Sequence, residues 1–266
     1  MNRKNSGFTL LEMAVVLFIA GALFAATLTP LRVQLESRAR RATEVILEQS
    51  VEGLYGFALA FARLPCPDAE QSSNGREDRL GTRACLTNEG FLPYVDLGVP
   101  GYDAWGNRVR YRVTAATSLS PGSGANFAAT DDGICRSDDG DLDLCEMGDV
   151  EIRTRGDNPA TPLAEGEFDF VQANAVPAVV LSHGANGYGA VSQQGRPRAR
   201  VPARNRDESE NVDSDAVFYA RIYAADQSPC NDDENESVAM CEFDDILRWL
   251  SPTILNNRLV SAGQLP

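Results

Sequence analysis

The chain has almost no lysine and almost no histidine. Lys4 is the only lysine in 266 residues, and His183 is the only histidine. Beyond the first residues, the composition therefore excludes a phosphate-loop lysine, a Schiff base and a zinc site built from paired histidines. The 38 acidic residues outnumber the 24 basic ones, so the net charge of −14 argues against general binding to nucleic acid. We therefore expect no enzymatic activity and no cofactor, calcium excepted.

Charge is also missing from one long N-terminal run. Met13 to Leu31 are 19 residues without a charged side chain. At 1.5 Å per residue, a helix of this length just crosses a bilayer core of about 30 Å. Arg3 and Lys4 precede the run, which favours an N-terminus in the cytoplasm. The arginines after the run outnumber them and favour the opposite orientation: Arg32, Arg38, Arg40 and Arg41.

A short motif stands directly before this run, Gly7-Phe8-Thr9-Leu10-Leu11-Glu12. It resembles the cleavage and methylation motif of type IV prepilins and type II secretion pseudopilins. The resemblance implies that prepilin peptidase cuts after Gly7 and that Phe8 becomes the methylated N-terminus. It also implies that Glu12 receives the terminal amine of a neighbouring subunit. A secretory signal cleaved within Ala20–Ala26 is the competing interpretation, and the intramembrane acid Glu12 disfavours it.

The same resemblance implies partners and a location. The expected partners are prepilin peptidase, other pilin or pseudopilin subunits, an inner-membrane assembly platform and membrane lipid. The protein would cross the bacterial inner membrane once, with a periplasmic C-terminal domain, and then enter a filament in the periplasm or at the cell surface. Removal of seven residues leaves 259, which is longer than the usual major subunit and favours a low-copy subunit at or near a filament tip.

The predicted fold class is α+β: a long N-terminal spine helix packed on an antiparallel β-sheet with disulfide-bonded loops. Four regions are expected, a leader at 1–7, a transmembrane segment at 8–30, an amphipathic half of the spine helix at 31–64 and a β-rich periplasmic domain at 65–266. Apolar residues three or four apart predict one helix from about Thr9 to Ala62, with a bend or break near Pro30.

Strand signals follow the helix. A turn at Gly106 and Asn107 leads into arginines that alternate with Val109, Tyr111 and Val113, the pattern of a strand with one packed face. The region around Trp105 also resembles a segment of the major pseudopilins, which implies support of the fold. Further candidates are strands at Val150–Arg153, Phe168–Gln172, Ala178–Ser182 and Ala216–Ala224, a strand or short helix at Phe243–Leu250, and a helix at Ile254–Ala262.

Six cysteines lie beyond the apolar run, an even number that indicates disulfides in an exported domain. Six cysteines allow 15 pairings, and loop closure favours sequence neighbours. The favoured pairs are Cys66 with Cys85, Cys135 with Cys145, and Cys230 with Cys241. Reduced, buried thiols in a cytoplasmic protein are the alternative.

Three other places invite a chemical interpretation. Ser182 and His183 are adjacent, but neighbours on a strand end point to opposite sides, so we expect a loop histidine that binds backbone or solvent rather than a hydrolase. The acidic stretch Asp131–Asp143 offers oxygens for Ca²⁺ without EF-hand spacing, and a solvated acidic loop is the better interpretation. The run Asp232–Glu236 is interpreted in the same way.

Arginines form a stripe that could contact DNA phosphates: Arg196, Arg198, Arg200, Arg204 and Arg206. Acids follow directly, so local ion pairing in an exposed loop is favoured: Asp207, Glu208, Glu210, Asp213 and Asp215. The leading hypothesis is a structural subunit, a minor pilin or pseudopilin. The alternatives are a membrane-anchored binding module for DNA or a secreted substrate and, less favoured, an anchored periplasmic enzyme.

Overall fold

The computed structural model describes residues 10–69, 74–81, 84–115, 126–128, 147–154, 170–225, 229–232 and 239–264. The helices in these ranges are α1 Leu10–Phe61, α2 Tyr94–Leu97, α3 Arg206–Glu210 and α4 Pro252–Ser261. The strands are β1 Arg79–Leu80, β2 Ala84–Cys85, β3 Glu89–Phe91, β4 Arg110–Val113, β5 Val150–Thr154, β6 Phe170–Val176, β7 Ala178–Ser182, β8 Val217–Tyr219 and β9 Ile246–Trp249. The α+β prediction is confirmed.

Helix α1 follows the predicted bounds closely and runs through Pro30 without a break. It stops where Ala62 takes a left-handed conformation with φ of 52°. The chain divides into two compact units, one ending at Arg41 and one comprising Ala42–Pro266. The described residues of the first unit, 10–41, all lie in α1.

The second unit is built around an antiparallel sheet with strand order β3-β4-β7-β9. All five residues of β7 are buried, because both faces of the sheet are covered. Ala178 and Val180 join a core with the helices, whereas Val179 and Leu181 join a second core with the other sheet. The central strand therefore separates two hydrophobic cores.

The first core lies between the sheet and the helices. Leu47, Leu54 and Ala58 of α1 are fully buried there, with Leu255 and Leu259 of α4 beside them. Their spacings of four and seven residues place each set on one helix face. Burying such leucines is worth roughly 1.5–3 kcal/mol each, so this stripe holds the second half of α1 on the sheet.

The second core lies between the central sheet and a three-stranded sheet of order β6-β5-β8. Strand β5 pairs antiparallel with β6 and parallel with β8. Val150, Ile152 and Phe218 are its buried anchors. The sequence predicted a single antiparallel sheet, whereas the described residues form two main sheets and the small pair β1-β2, with one parallel contact.

The prediction of a single packed face for Val109–Val113 is wrong. Tyr111 and Val113 enter the first core, as expected, but Arg112 on the opposite face is only 5% exposed. Its guanidinium lies 3.0 Å from Asp149, directly before β5, and 3.8 Å from Glu89. These two ion pairs compensate the positive charge of the buried guanidinium.

The remaining strand predictions are confirmed in part. β7 is found as predicted, and β5 is one residue longer. β6 is described from Phe170 and ends later than the predicted Gln172, while residues 168 and 169 lie outside the described residues. β8 is shorter than Ala216–Ala224, and Phe243–Leu250 contains the strand β9. The predicted C-terminal helix is α4, which begins at Pro252 because the hydroxyl of Ser251 accepts from the amide of Ile254.

Two of the three predicted disulfides lie in the described residues. Cys66 is bonded to Cys85, and Cys230 to Cys241, with Cα atoms 5.3 Å and 4.8 Å apart. Each bond closes a loop and so lowers the conformational entropy of the unfolded chain. Cys135 and Cys145 lie outside the described residues, as does the acidic stretch Asp131–Asp143.

Candidate functional site

The described start of α1 exposes a broad apolar surface. Leu10 is 93% exposed and Phe18 is 77% exposed, and the other large apolar side chains of this stretch are also accessible: Leu11, Met13, Val15, Val16, Leu17 and Ile19. A soluble surface rarely leaves so many large apolar residues contiguous, and such patches mark interfaces with protein or lipid. Gly7 and Phe8 lie outside the described residues.

Glu12 is the one acid in the first turn of α1. It lies among exposed leucine, methionine and valine side chains, and its own side chain is exposed. A carboxylate near a helix N-terminus is favoured by the helix dipole. In lipid or in a protein interface the same carboxylate needs a proton or a counter-ion, because an uncompensated charge there costs a few kcal/mol.

Among the residues that the structure describes, no helix combines the length and the apolar character needed to cross a membrane. The transmembrane segment at 8–30 therefore stays a prediction.

A second site lies inside the globular unit and was not predicted from the sequence. Glu208 of α3 and Asp244 and Asp245, which precede β9, form a carboxylate cluster. All three side chains are buried, and one oxygen from each lies within 4.8 Å of the others. Three carboxylates this close repel one another strongly when all are ionised.

Three asparagines around the carboxylate cluster donate hydrogen bonds to its carboxylate oxygens. The Asn186 side chain donates to both oxygens of Glu208, and its backbone amide donates to Asp244 Oδ2 at 2.8 Å. Asn205 caps α3 and also donates to Glu208 Oε2, at 2.8 Å. Asn211 donates to Asp245 Oδ2 at 2.8 Å. Two oxygens are left without a hydrogen bond in the structure, Oδ1 of Asp244 and Oδ1 of Asp245.

Burial raises the pKa of every member of the carboxylate cluster. The pKa of Asp244 rises to about 7, mainly through burial and further through the charges of Asp245 and Glu242. The pKa of Glu208 is raised by burial and by the charge of Asp245. The pKa of Asp245 is raised by burial, against the opposing effects of its Asn211 hydrogen bond and the Arg221 charge. Near neutral pH the cluster therefore holds protons or needs a cation.

His183 adjoins this cluster. It is fully buried, its Nδ1 lies 3.5 Å from Asp245 Oδ1, and neither ring nitrogen has a hydrogen bond. Burial, and secondly the charge of Arg110, lower the pKa of His183 to about 3, so the ring is neutral near pH 7. The prediction of a solvent- or backbone-bound loop histidine is wrong, because the ring is buried against Asp245 of the segment before β9 and makes no hydrogen bond.

The turn around Trp105 fixes the segment that carries His183. Asp103 Oδ1 accepts from the amides of Trp105 and Asn107, and Asp103 Oδ2 accepts from the Ser182 hydroxyl at 2.7 Å. The Asn107 side chain donates to the carbonyl of Gly184 at 3.0 Å. The Ser182 hydroxyl is thus engaged with Asp103, while His183 faces Asp245, so the pair is not arranged as nucleophile and base.

A buried ion-pair group, the Arg221 network, lies beside the carboxylate cluster. Arg221 Nε is 2.7 Å from Asp207 Oδ2, and its Nη2 is 3.2 Å from Asp232 Oδ1. Asp232 also accepts from the amide of Cys241, and Arg221 stacks over the ring of Phe243 at 4.7 Å. The interpretation of Asp232 as part of a solvated run is therefore wrong; residues 233–238 lie outside the described part of the chain.

The arginine stripe is exposed, as predicted, but its proposed partners are not all available. Asp207 is buried against Arg221, and Glu208 belongs to the carboxylate cluster. These two acids are therefore buried and do not belong to an exposed loop. Arg198 instead donates to the backbone carbonyl of Trp105 at 3.4 Å.

One sequence signal could have found the carboxylate cluster. Asp244 and Asp245 stand side by side between the apolar residues Phe243 and Ile246. Because successive side chains of an extended segment point to opposite faces, at least one of the two acids must lie on the same face as a buried apolar neighbour. Glu208 carries no such signal, because it stands in a polar stretch and is buried only by the tertiary fold.

Comparison with known proteins supports the N-terminal motif. Residues 2–28 match the family model described as the prokaryotic N-terminal methylation motif. No curated protein and no solved structure is significantly similar to the chain.

The chain therefore carries a type IV pilin-like prepilin motif at its N-terminus. This motif is typical of pilin-like proteins that prepilin peptidase processes, and it implies assembly with other pilin subunits.

Proposed function

We propose that the protein is a minor pilin or pseudopilin, a structural subunit of a type IV pilus-like or type II secretion filament, without catalytic activity. The methylation motif at residues 2–28 is the observation that carries this proposal. The exposed apolar surface at the start of α1, with Glu12 as its one acid in the first turn, supports it.

The proposed assembly step uses two charges that appear at different times. Cleavage after Gly7 creates an α-amino group on Phe8, whose ordinary pKa is near 7.7–8.0, so it is largely cationic at neutral pH. In a filament this amine pairs with Glu12 of the adjacent subunit. Because low dielectric strengthens the attraction and penalises an unpaired charge, a subunit in the wrong axial register is disfavoured.

The globular unit supplies what an exported subunit needs. Two hydrophobic cores on either side of one sheet hold the body together, and the bonds Cys66–Cys85 and Cys230–Cys241 cross-link its loops. Disulfides persist in an oxidising compartment such as the periplasm. The membrane-anchored stage before filament entry is part of the same proposal, with an assembly platform extracting α1 from lipid.

The test compares three single variants in cells that make the filament. Gly7→Ala leaves a full-length precursor that does not enter filaments. Glu12→Gln is processed, but its incorporation into filaments falls at least about 10-fold, equivalent to about 1.4 kcal/mol. Glu36→Gln, an exposed glutamate on the same helix, is the matched control and retains both properties. Normal processing of Gly7→Ala, or full incorporation of Glu12→Gln, contradicts the proposal.

A further inference from the structure

The loop at residues 193–204, called the basic loop below, carries arginines that no acid compensates. Four of its side chains are exposed and form no ion pair within the part of the chain that the structure describes: Arg196, Arg198, Arg200 and Arg204. Most other described arginines of the second unit pair with an acid, as Arg63 pairs with Glu77 at 2.7 Å. The chain has 38 acidic residues, so the basic loop stays unpaired despite an excess of acids.

Backbone hydrogen bonds give the basic loop a defined conformation. Val191 and Pro197 form an antiparallel bridge, and the amide of Arg198 donates to the carbonyl of Ala190 at 2.8 Å. Side chains of a paired segment alternate between its two faces, so the arginines at every second position from 196 to 200 share one face. The loop therefore presents several guanidinium groups together.

The basic loop lies beside the point at which α1 enters the second unit. The carbonyl of Trp105 accepts from Arg198 Nη2 at 3.4 Å, and the amide of the preceding residue, Ala104, donates to Thr43 Oγ1 at 3.1 Å. Thr43 is the second residue of that unit, which begins at Ala42. A single turn of the chain thus joins the basic loop to the start of α1 in this unit.

The predicted membrane anchor ends a short distance before this point. From residue 30, the end of the predicted transmembrane segment, the 13 residues to Thr43 reach about 20 Å at most when they are helical. The lipid headgroups occupy about 5–8 Å of that reach, and a tilt of the helix by about 20–40° shortens it further. Charges act over about 8 Å at physiological ionic strength. The basic loop therefore comes within electrostatic range of the membrane surface.

We propose that the basic loop binds the phosphate groups of anionic phospholipids while the protein is anchored in the membrane. This inference rests on the proposed function, because it needs the anchored stage. Guanidinium groups bind phosphate oxygens through two parallel hydrogen bonds. Each arginine near an anionic membrane surface strengthens binding about 5-fold, equivalent to about 1 kcal/mol. The contact holds the second unit at the membrane surface until a filament takes up the subunit.

A polynucleotide offers the same phosphate chemistry but suits this chain less well. It approaches from solution, where the net charge of −14 repels it at long range. Residues 190–206 contain no aromatic side chain, so bases find no stacking surface among the arginines. A membrane needs no long-range approach, because the anchor already holds the basic loop near its surface.

The experiment uses the full chain, reconstituted as one molecule per lipid nanodisc so that contacts between copies do not contribute. The lipid is phosphatidylcholine alone or an equal mixture with phosphatidylglycerol. Trypsin cuts after Arg198 and Arg200, and we expect this cleavage to be at least about 5-fold slower with phosphatidylglycerol. The protection disappears in about 1 M salt, where the screening length is about 3 Å. Cleavage after Arg76, an exposed arginine outside the loop, has the same rate in both lipids.

Variants test whether the charge of the basic loop causes the protection. Arg200→Gln combined with Arg204→Gln removes two charges and keeps Arg198 as a cleavage site. We expect the lipid-dependent difference in cleavage after Arg198 to fall below about 2-fold. Arg200→Lys combined with Arg204→Lys keeps the charge and most of the protection. Arg76→Gln is the matched control, which removes an exposed charge elsewhere and retains the full protection.

The outcomes separate this inference from the proposed function. Equal loop cleavage in both lipids, or protection that survives the double glutamine variant, overturns the inference and leaves the proposed function standing. A chain that enters neither kind of nanodisc overturns both. Protection by double-stranded DNA or by inorganic phosphate, without protection by phosphatidylglycerol, overturns the assignment to lipid.

Discussion

Arg221→Met tests whether the Arg221 network maintains the second unit. The guanidinium lies between Asp207 and Asp232 and also donates to the carbonyl of Cys241 at 2.9 Å. The side chain of Arg221 is 1% exposed, and both aspartate side chains are fully buried. Methionine fills much of the same volume but leaves two buried acids without their cation.

The magnitude follows from this burial. Removing one partner of a buried ion pair costs about 3–5 kcal/mol, because the remaining charge is neither solvated nor paired. For a unit of this size each kcal/mol changes Tm by about 2–4 °C, so Arg221→Met lowers Tm by about 6–20 °C. Differential scanning fluorimetry of the solubilised protein measures the change.

Arg76→Met is the matched control, since Arg76 pairs with Asp96 but is 62% exposed. Exposed pairs are worth about 0–1 kcal/mol, so this variant keeps nearly the wild-type Tm. Adding Asp207→Asn and Asp232→Asn to Arg221→Met recovers part of the lost stability, because no buried charge then lacks a partner. Equal Tm values for Arg221→Met and Arg76→Met refute the reasoning.

Three further predictions concern the same unit. Replacing Cys66 and Cys85 by serine costs about 3 kcal/mol, since the bond spans a sequence separation of 19 residues; denaturant unfolding with unchanged stability contradicts this. The free energy of unfolding falls as pH rises above about 6.5, by up to about 1.4 kcal/mol per pH unit for each cluster proton released on unfolding. The sign follows because the folded pKa values are raised, so stability present at low pH is lost as pH rises through them; His183 is neutral in both states in that range, and a flat profile contradicts the prediction. Gly90→Ala lowers Tm, because a Cβ there meets the backbone oxygen of Asp68 at 2.5 Å, and a Tm equal to the wild type contradicts it.

Local patterns predicted the elements that local chemistry determines. The helix of α1, the β7 strand and the α4 helix follow from apolar spacing, uniform apolar character and capping, all of which are visible in short windows. The neighbour pairing of Cys66 with Cys85 followed from loop closure alone. These features need no knowledge of what packs above them.

The wrong predictions of exposure share one physical cause: the residues that bury each side chain lie outside the short stretch of sequence from which its exposure was predicted. Arg112, His183 and Asp232 each stand in a polar or alternating context that predicts exposure, yet each is buried. Arg112 is paired with Asp149, 37 residues away, and His183 lies against Asp245 before β9, whereas Asp232 is enclosed by Arg221 and Cys241, 11 and 9 residues away. The spacing of polar and apolar residues in a short stretch carries no information about which other parts of the chain pack against it.

The carboxylate cluster shows the same limit. Asp244 and Asp245 are adjacent in sequence, but Glu208 joins them only through the packing of α3. The N-terminal site is the opposite case, because Gly7, Phe8 and Glu12 stand within one short linear motif. That signal was recognised from sequence, and the methylation-motif match over residues 2–28 supports it.

The N-terminus of the mature protein decides whether this is a processed pilin-like subunit. We expect N-terminal sequencing and intact mass of the membrane-extracted protein to show a chain that begins at Phe8 and carries one N-methyl group. A chain that begins at Met1, or at a residue beyond Ala20, would lack the Phe8 amine and contradict the proposed pairing with Glu12.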